Sequence, residues 1–155
     1  MKQMILLTSL AITLTFSTTM AQTGTCTTDA KGILNGENGD IFKTELNAYK
    51  VNEEALSKIN FTGISIKVVL GNWCEDSQRE VPRLIKILET APLKNVPVTY
   101  YLVDREKFCP DPEVQKLEAK YVPAIIFYRN GKEIGRIVET PEGSLEVNMG
   151  KILAN

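Results

Sequence analysis

The 155-residue chain contains no histidine. That absence removes Ser-His and Cys-His nucleophilic schemes and every histidine metal site. Three cysteines, Cys26, Cys74 and Cys109, are too dispersed to spell a zinc-ligand pattern, so no metal is expected. A formal charge of −1, with Lys and Arg scattered rather than blocked, gives no polyanion-binding surface. Neither nucleic acid nor anionic lipid is an expected partner, and no residue run points to a flavin, a nucleotide or any other cofactor. The apolar stretch Met4 to Phe16 is studded with Thr and Ser and falls short of the roughly 20 residues a membrane span needs.

That stretch follows Lys2 and runs into Ser17-Thr18-Thr19-Met20-Ala21. A positive start, a short apolar centre and a small-residue exit read as a secretory signal peptide over residues 1–21, leaving no stable membrane span after cleavage. The expected location is therefore exported, and periplasmic rather than secreted or lipid-anchored. Lipidation at Cys26 is the lesser reading because Thr23-Gly24-Thr25 is a poor lipobox. Export places the thiols where disulfides persist.

What the chain does have is the run Asn72-Trp73-Cys74-Glu75-Asp76-Ser77. It sits between a β-branched apolar run, Ile64 to Leu70, and a helical pattern from Gln78 to Leu88. A cysteine in the first turn of a helix faces orphan N–H groups and the positive end of the dipole, which favour thiolate over thiol. Thiolate is the form that attacks disulfides. Glu75 and Asp76 oppose that bias as neighbouring negative charges, and otherwise read as helix-start residues. Ser77, three residues on, can donate its O–H to the Cys74 sulfur or serve as an ordinary first-turn polar residue.

Around this run the pattern implies one domain. Residues 22–50 read as an N-terminal arm, loose over Thr23 to Asp40, and the start of the domain; residues 51–155 carry the rest. Asn52 suits the N-cap of a helix through Ile59, and Ile64 to Leu70 a central strand. Val81, Leu84, Ile85 and Leu88 mark the buried face of the next helix, in which Pro82 predicts a kink. A strand over Val96 to Val103, a helix over Pro112 to Lys120, and a strand from Ala124 to Tyr128 follow. An Asn130-Gly131 hairpin leads to an antiparallel return over Glu133 to Val138, and Thr140-Pro141-Glu142 opens a final helix ending near Leu153. The order β-α-β-α-β-β-α implies α/β architecture, a central mixed sheet with helices on both faces.

This order, with Trp73-Cys74 at the strand-to-helix junction, Pro82 eight residues later, and Val122-Pro123 before the third strand, resembles the thioredoxin-like superfamily from about Ala55 to Leu153. The Cys-x-Asp-Ser spelling with Arg79-Glu80-Val81-Pro82 looks like an exported bacterial branch of it. The resemblance implies a thioredoxin fold, a cis peptide bond at Val122-Pro123 facing Cys74, and Trp73 as a lid over the thiol. It also implies a backbone edge at Val122 and Pro123 where an extended substrate pairs.

Three departures bear on function. Ser77 stands where the family's resolving cysteine stands, Val68 replaces its buried aspartate, and Tyr100 its lysine. The segment from Asp104 to Pro123 is also longer than in thioredoxin and carries Cys109-Pro110-Asp111-Pro112. Cys109 can resolve a Cys74 mixed disulfide, pair with Cys26, or stay free. Cys26–Cys109 is preferred because it leaves Cys74 free and ties the arm to the domain.

The function expected is single-thiol disulfide exchange through Cys74, of mixed-disulfide, isomerase or deprotection type rather than efficient dithiol reduction. Its partners are protein or small-molecule thiols and disulfides. The alternative is a non-catalytic peptide-binding module that uses the Pro123 groove. The oligomeric state and the substrate stay open.

Overall fold

A computed structural model describes residues 26–90, 93 and 95–154. The signal-peptide reading of 1–21 and the lipobox residues 23–25 lie outside the described residues. The elements are β1 (Thr27–Thr28), α1 (Ala30–Asn35), α2 (Gly39–Ala48), α3 (Glu53–Leu56), β2 (Ile64–Leu70) and α4 (Glu75–Leu88). They continue with β3 (Val98–Leu102), α5 (Pro112–Lys116), β4 (Ala124–Arg129), β5 (Lys132–Val138) and α6 (Leu145–Leu153).

The five strands form one mixed sheet in the order β1-β3-β2-β4-β5. β2 and β3 run parallel through the α4 crossover, and the other pairs are antiparallel. Alternation along β2 divides the core. Ile64, Ile66, Val68 and Leu70 face Phe42 of α2, Val81 and Leu84 of α4, and Met149 of α6. Val69 faces the opposite way, with Tyr101, Cys109, Val114 of α5, Val122 and Ile126. Helices therefore cover both sheet faces, as the residue pattern implies. Each fully buried side chain of this kind stabilises the fold by about 1.5–3 kcal/mol.

Several boundaries differ from the sequence expectation: the helix expected through Ile59 ends at Leu56, the strand expected over Val96 to Val103 spans Val98–Leu102, and three larger differences each have a local reason. Within the segment expected to be a loose arm, the described residues 26–40 instead supply edge strand β1, helix α1 and the start of α2. Asp29 caps α1 by accepting the Gly32 N–H at 2.6 Å, and the buried Ile33 and Phe42 anchor the pair. Helix α5 stops at Lys116 rather than Lys120 because Glu118 takes a positive φ, while the Leu117 carbonyl accepts from Arg136. Helix α6 begins at Leu145 under a Ser144 cap, not at Thr140. Gly143 has φ +86°, and the Asn148 amide ties back to the Glu142 backbone, so residues 140–143 form a turn.

Two disulfide partners close the arm. Cys26, next to β1, is bonded to Cys109 in the loop after β3. The arm is thus stapled to the sheet rather than loose. At the β4–β5 hairpin, Asn130 and Gly131 both adopt positive φ, the geometry of a two-residue turn.

Candidate functional site

The site lies where β2 runs into α4. Cys74 is the N-cap of α4, with extended backbone (φ −93°, ψ 123°), and its N–H closes a turn onto the Gly71 carbonyl at 3.1 Å. The turn is held from three directions. The Asn72 carbonyl accepts from the Gln78 amide at 2.7 Å and the Asn38 amide at 3.2 Å, and the Asn72 amide donates to Glu37 at 3.0 Å. Cys74 is partly exposed and is the one cysteine outside a disulfide. Its sulfur donates to the Val122 carbonyl oxygen at 3.2 Å, and the Val122–Pro123 bond is cis. Val122 is buried, and the Pro123 carbonyl is engaged by the Glu139 N–H at 2.8 Å, so this loop is fixed on both sides of the bond.

Trp73 donates its indole N–H to the Val103 carbonyl at 3.2 Å, which seats the ring against the end of β3. The Arg105 guanidinium lies over the ring, 5.1 Å from its centroid. Ser77 is fully buried and accepts the Gly71 N–H at 3.3 Å. No hydrogen bond joins it to the Cys74 sulfur; the hydroxyl secures the strand exit instead. Glu75 is exposed beside the thiol. Asp76 is paired with Arg79 at 2.5 Å, and Thr140 bridges both, accepting from Arg79 and donating to Asp76. Its charge is thereby countered within one helical turn.

Behind Asp76 runs a chain of charges along α4. The buried Glu80 accepts from Arg79 at 2.7 Å and Arg83 at 3.2 Å, and Arg83 reaches Glu45 of α2 at 2.6 Å. The Glu80 bond pushes the Arg79 guanidinium up, with Asp76 adding to it. Nearby, the buried Glu146 accepts from Tyr49 and from the Asn52 N–H. Burial pushes the Tyr49 phenol up, and its bond to Glu146 adds to the effect.

The structure thus brings Trp73, Cys74, Val122 and Pro123 together. Glu75 stands beside them, Asp76 is tied into an ion pair, and Ser77 turns away. Cys109 is spent in its disulfide and is almost wholly buried at 1 % exposure, which removes it as a free resolving thiol. Sequence reasoning missed Arg79, Thr140, Val103 and Arg105. The i,i+3 spacing of Asp76 and Arg79 is a legible signal. Thr140, Val103 and Arg105 meet the site only through tertiary folding.

A mixed sheet of this order, a free cysteine capping the helix after its central strand and a cis proline across from it define a thioredoxin-like α/β protein. The chain belongs to the Thioredoxin_9 family, described as thioredoxin, whose model matches residues 36–150. It is similar to a protein of unknown function from Pseudomonas aeruginosa, at 16% identity and TM-score 0.54, covering 81% of this chain and 89% of that one. An HIV epitope scaffold is similar at 18% identity and TM-score 0.56, covering 81% and 90%. Trxlp from Edwardsiella tarda aligns at 17% identity and TM-score 0.47 over 68% of this chain and 94% of that one. No curated protein matches the chain.

Proposed function

We propose that this chain is an exported member of the family that performs thiol–disulfide exchange through one nucleophile, Cys74. The observation that carries the reading is the position of this thiol: unpaired, partly exposed, capping α4 and 3.2 Å from the Val122 carbonyl. The thiolate attacks one sulfur of a disulfide. A Cys74–sulfur bond forms, the old bond breaks, and the departing thiolate takes a proton from water, with no net oxidation. Ser77 offers no second thiol, and Cys26 and Cys109 are committed to each other. An external thiol therefore releases the product, which suits isomerisation or deprotection better than dithiol reduction.

Ionisation of Cys74 ends its donation to Val122. That carbonyl is then open to an N–H of an extended substrate lying along Val122 and Pro123. The N-terminal pattern over 1–21 supports export, and a structural disulfide suits an oxidising compartment.

A second reading, a peptide-binding module with Cys74 incidental, draws support from Tyr121, 58 % exposed beside the Val122–Pro123 bond. Insulin reduction with dithiothreitol, combined with partner capture, separates the two. Catalysis predicts weak turnover in the wild type, a gain in Ser77→Cys, and loss of partner capture in Cys74→Ser. Capture that persists in Cys74→Ser, with no gain in Ser77→Cys, supports the binding module.

A further inference from the structure

The loop after β3 places a cation over the ring of the residue that precedes the thiol. Arg105 lies over the Trp73 ring at 5.1 Å, and Trp73 is the residue next to Cys74. The loop is held in shape. Asp104 donates its N–H to the Phe108 carbonyl and accepts the Phe108 N–H on its carboxylate at 2.8 Å, while Lys107 donates to the Asp104 carbonyl. The Cys26–Cys109 disulfide closes it one residue later. Beneath the cation, the Trp73 indole is fixed by Val103.

Arg105 is solvent-exposed, and among the described residues the contact over the Trp73 ring is the one interaction its guanidinium makes. A cation held over a ring by its charge keeps its forked N–H donors open, and that fork matches a carboxylate in two parallel bonds. The charges around it are mixed. Arg79 is consumed by Asp76 and Glu80, and Glu75 is an exposed negative charge on the helix side of the thiol. Arg105 sits between two exposed acids, Asp104, whose carboxylate accepts the Phe108 N–H, and Glu106, with Lys107 two residues on. The run from Asp104 to Lys107 carries no net charge, so what an anion meets on the Trp73 side of Cys74 is the unengaged Arg105 fork, and on the Glu75 side an exposed carboxylate.

We propose that Arg105 is a carboxylate subsite of the Cys74 centre, selecting disulfides that carry a carboxylate a few bonds from the reacting sulfur. This rests on Cys74 being the nucleophile. The carboxylate binds the Arg105 fork above Trp73, and its disulfide reaches the Cys74 thiolate. The Cys74–sulfur bond forms and the carboxylate-bearing thiolate leaves, taking its proton from water.

The test compares 3,3′-dithiodipropionate with its neutral diamide, following mixed-disulfide formation by intact mass. Each rate is divided by that of 2-mercaptoethanol with the same disulfide, which removes intrinsic reactivity. The acid-to-amide ratio within each variant cancels any general loss of folding or of thiol reactivity. At low ionic strength the wild-type ratio is expected to exceed that of Arg105→Gln by about threefold to fivefold, the rate equivalent of one exposed ion pair. Salt should shrink the difference, and Arg105→Lys should retain part of it. Equal ratios in wild type and Arg105→Gln would overturn the subsite while leaving Cys74 chemistry intact. A wild type that reacts with neither disulfide beyond the Cys74→Ser background would instead overturn the nucleophile reading, and the subsite with it.

Discussion

Gly71 lies directly beneath the Trp73 indole: a Cβ placed on Gly71 would come within 2.6 Å of Trp73 Cε2. Only glycine allows the ring to lie where Val103 accepts its N–H and Arg105 covers it. Gly71→Ala is therefore expected to expel the indole and to destabilise the fold by about 1–3 kcal/mol through overpacking. Trp73 is the single tryptophan, so its fluorescence reports the displacement directly. Cys74 exchange should fall with it. An unchanged emission spectrum in Gly71→Ala would show that the ring does not depend on this contact.

Arg79 counters Asp76 and Glu80 together. Arg79→Gln leaves Asp76 uncompensated two residues from Cys74 and should slow attack on a neutral disulfide about twofold to fivefold at low salt. Asp76→Asn in that background should restore the rate, because it removes the same charge. Failure of the second substitution to rescue would place the effect at the buried Glu80 or in helix packing, not in the Asp76 charge. Stopped-flow rates at two ionic strengths provide the measurement.

The Cys26–Cys109 bond spans 83 residues of chain. Its loss, by Cys26→Ser with Cys109→Ser, is expected to lower stability by about 2–5 kcal/mol, read from urea unfolding. Cys74 should remain reactive toward alkylation in the double variant, since its own contacts run through α4 and the Val122 loop. Loss of that reactivity would mean that the staple also shapes the site.

Tyr49 donates to the buried Glu146 carboxylate, with an oxygen–oxygen distance of 2.9 Å at the nearer of its two oxygens. Tyr49→Phe removes a bond to a charged group and should cost about 1.5–3 kcal/mol at neutral pH. Its phenol is pushed up in the folded state, so the folded protein holds this proton longer than the unfolded chain. The Tyr49 contribution is thus fully present below about pH 10, the unfolded tyrosine value, and is lost as pH rises above it. Urea midpoints at pH 9 and pH 11 should converge between wild type and Tyr49→Phe. A constant gap would contradict the linkage.

Much of this architecture is legible in residue patterns because the core obeys them. β2 is a β-branched apolar run that buries both its faces, Val81 and Leu84 recur at helical spacing, and Asn130-Gly131 spells its own turn. The stretch over residues 26–48 is less legible because Gly and Asn depress local propensity, while Ile33 and Phe42 gain their order by docking into the core with α4 and the sheet. The start of α6 is not legible because Pro141 mimics a helix opening, while Gly143 at φ +86° holds the helix back to Leu145. At the site, the helix start and its cysteine stand out in sequence. The Ser77 bond to Gly71 does not, because it depends on a strand exit curling back over the first turn. Arg105 and Thr140 arrive from distant loops and carry no local signal.

The most direct test of the central claim is intact-mass analysis of the protein, Cys26–Cys109 bond retained, after exposure to 2-hydroxyethyl disulfide. The expected result is a single mixed-disulfide adduct, absent in Cys74→Ser, that persists until an external monothiol such as glutathione is added. No adduct, or an adduct that discharges by itself into a bond between Cys74 and either other cysteine, would contradict single-thiol exchange at Cys74.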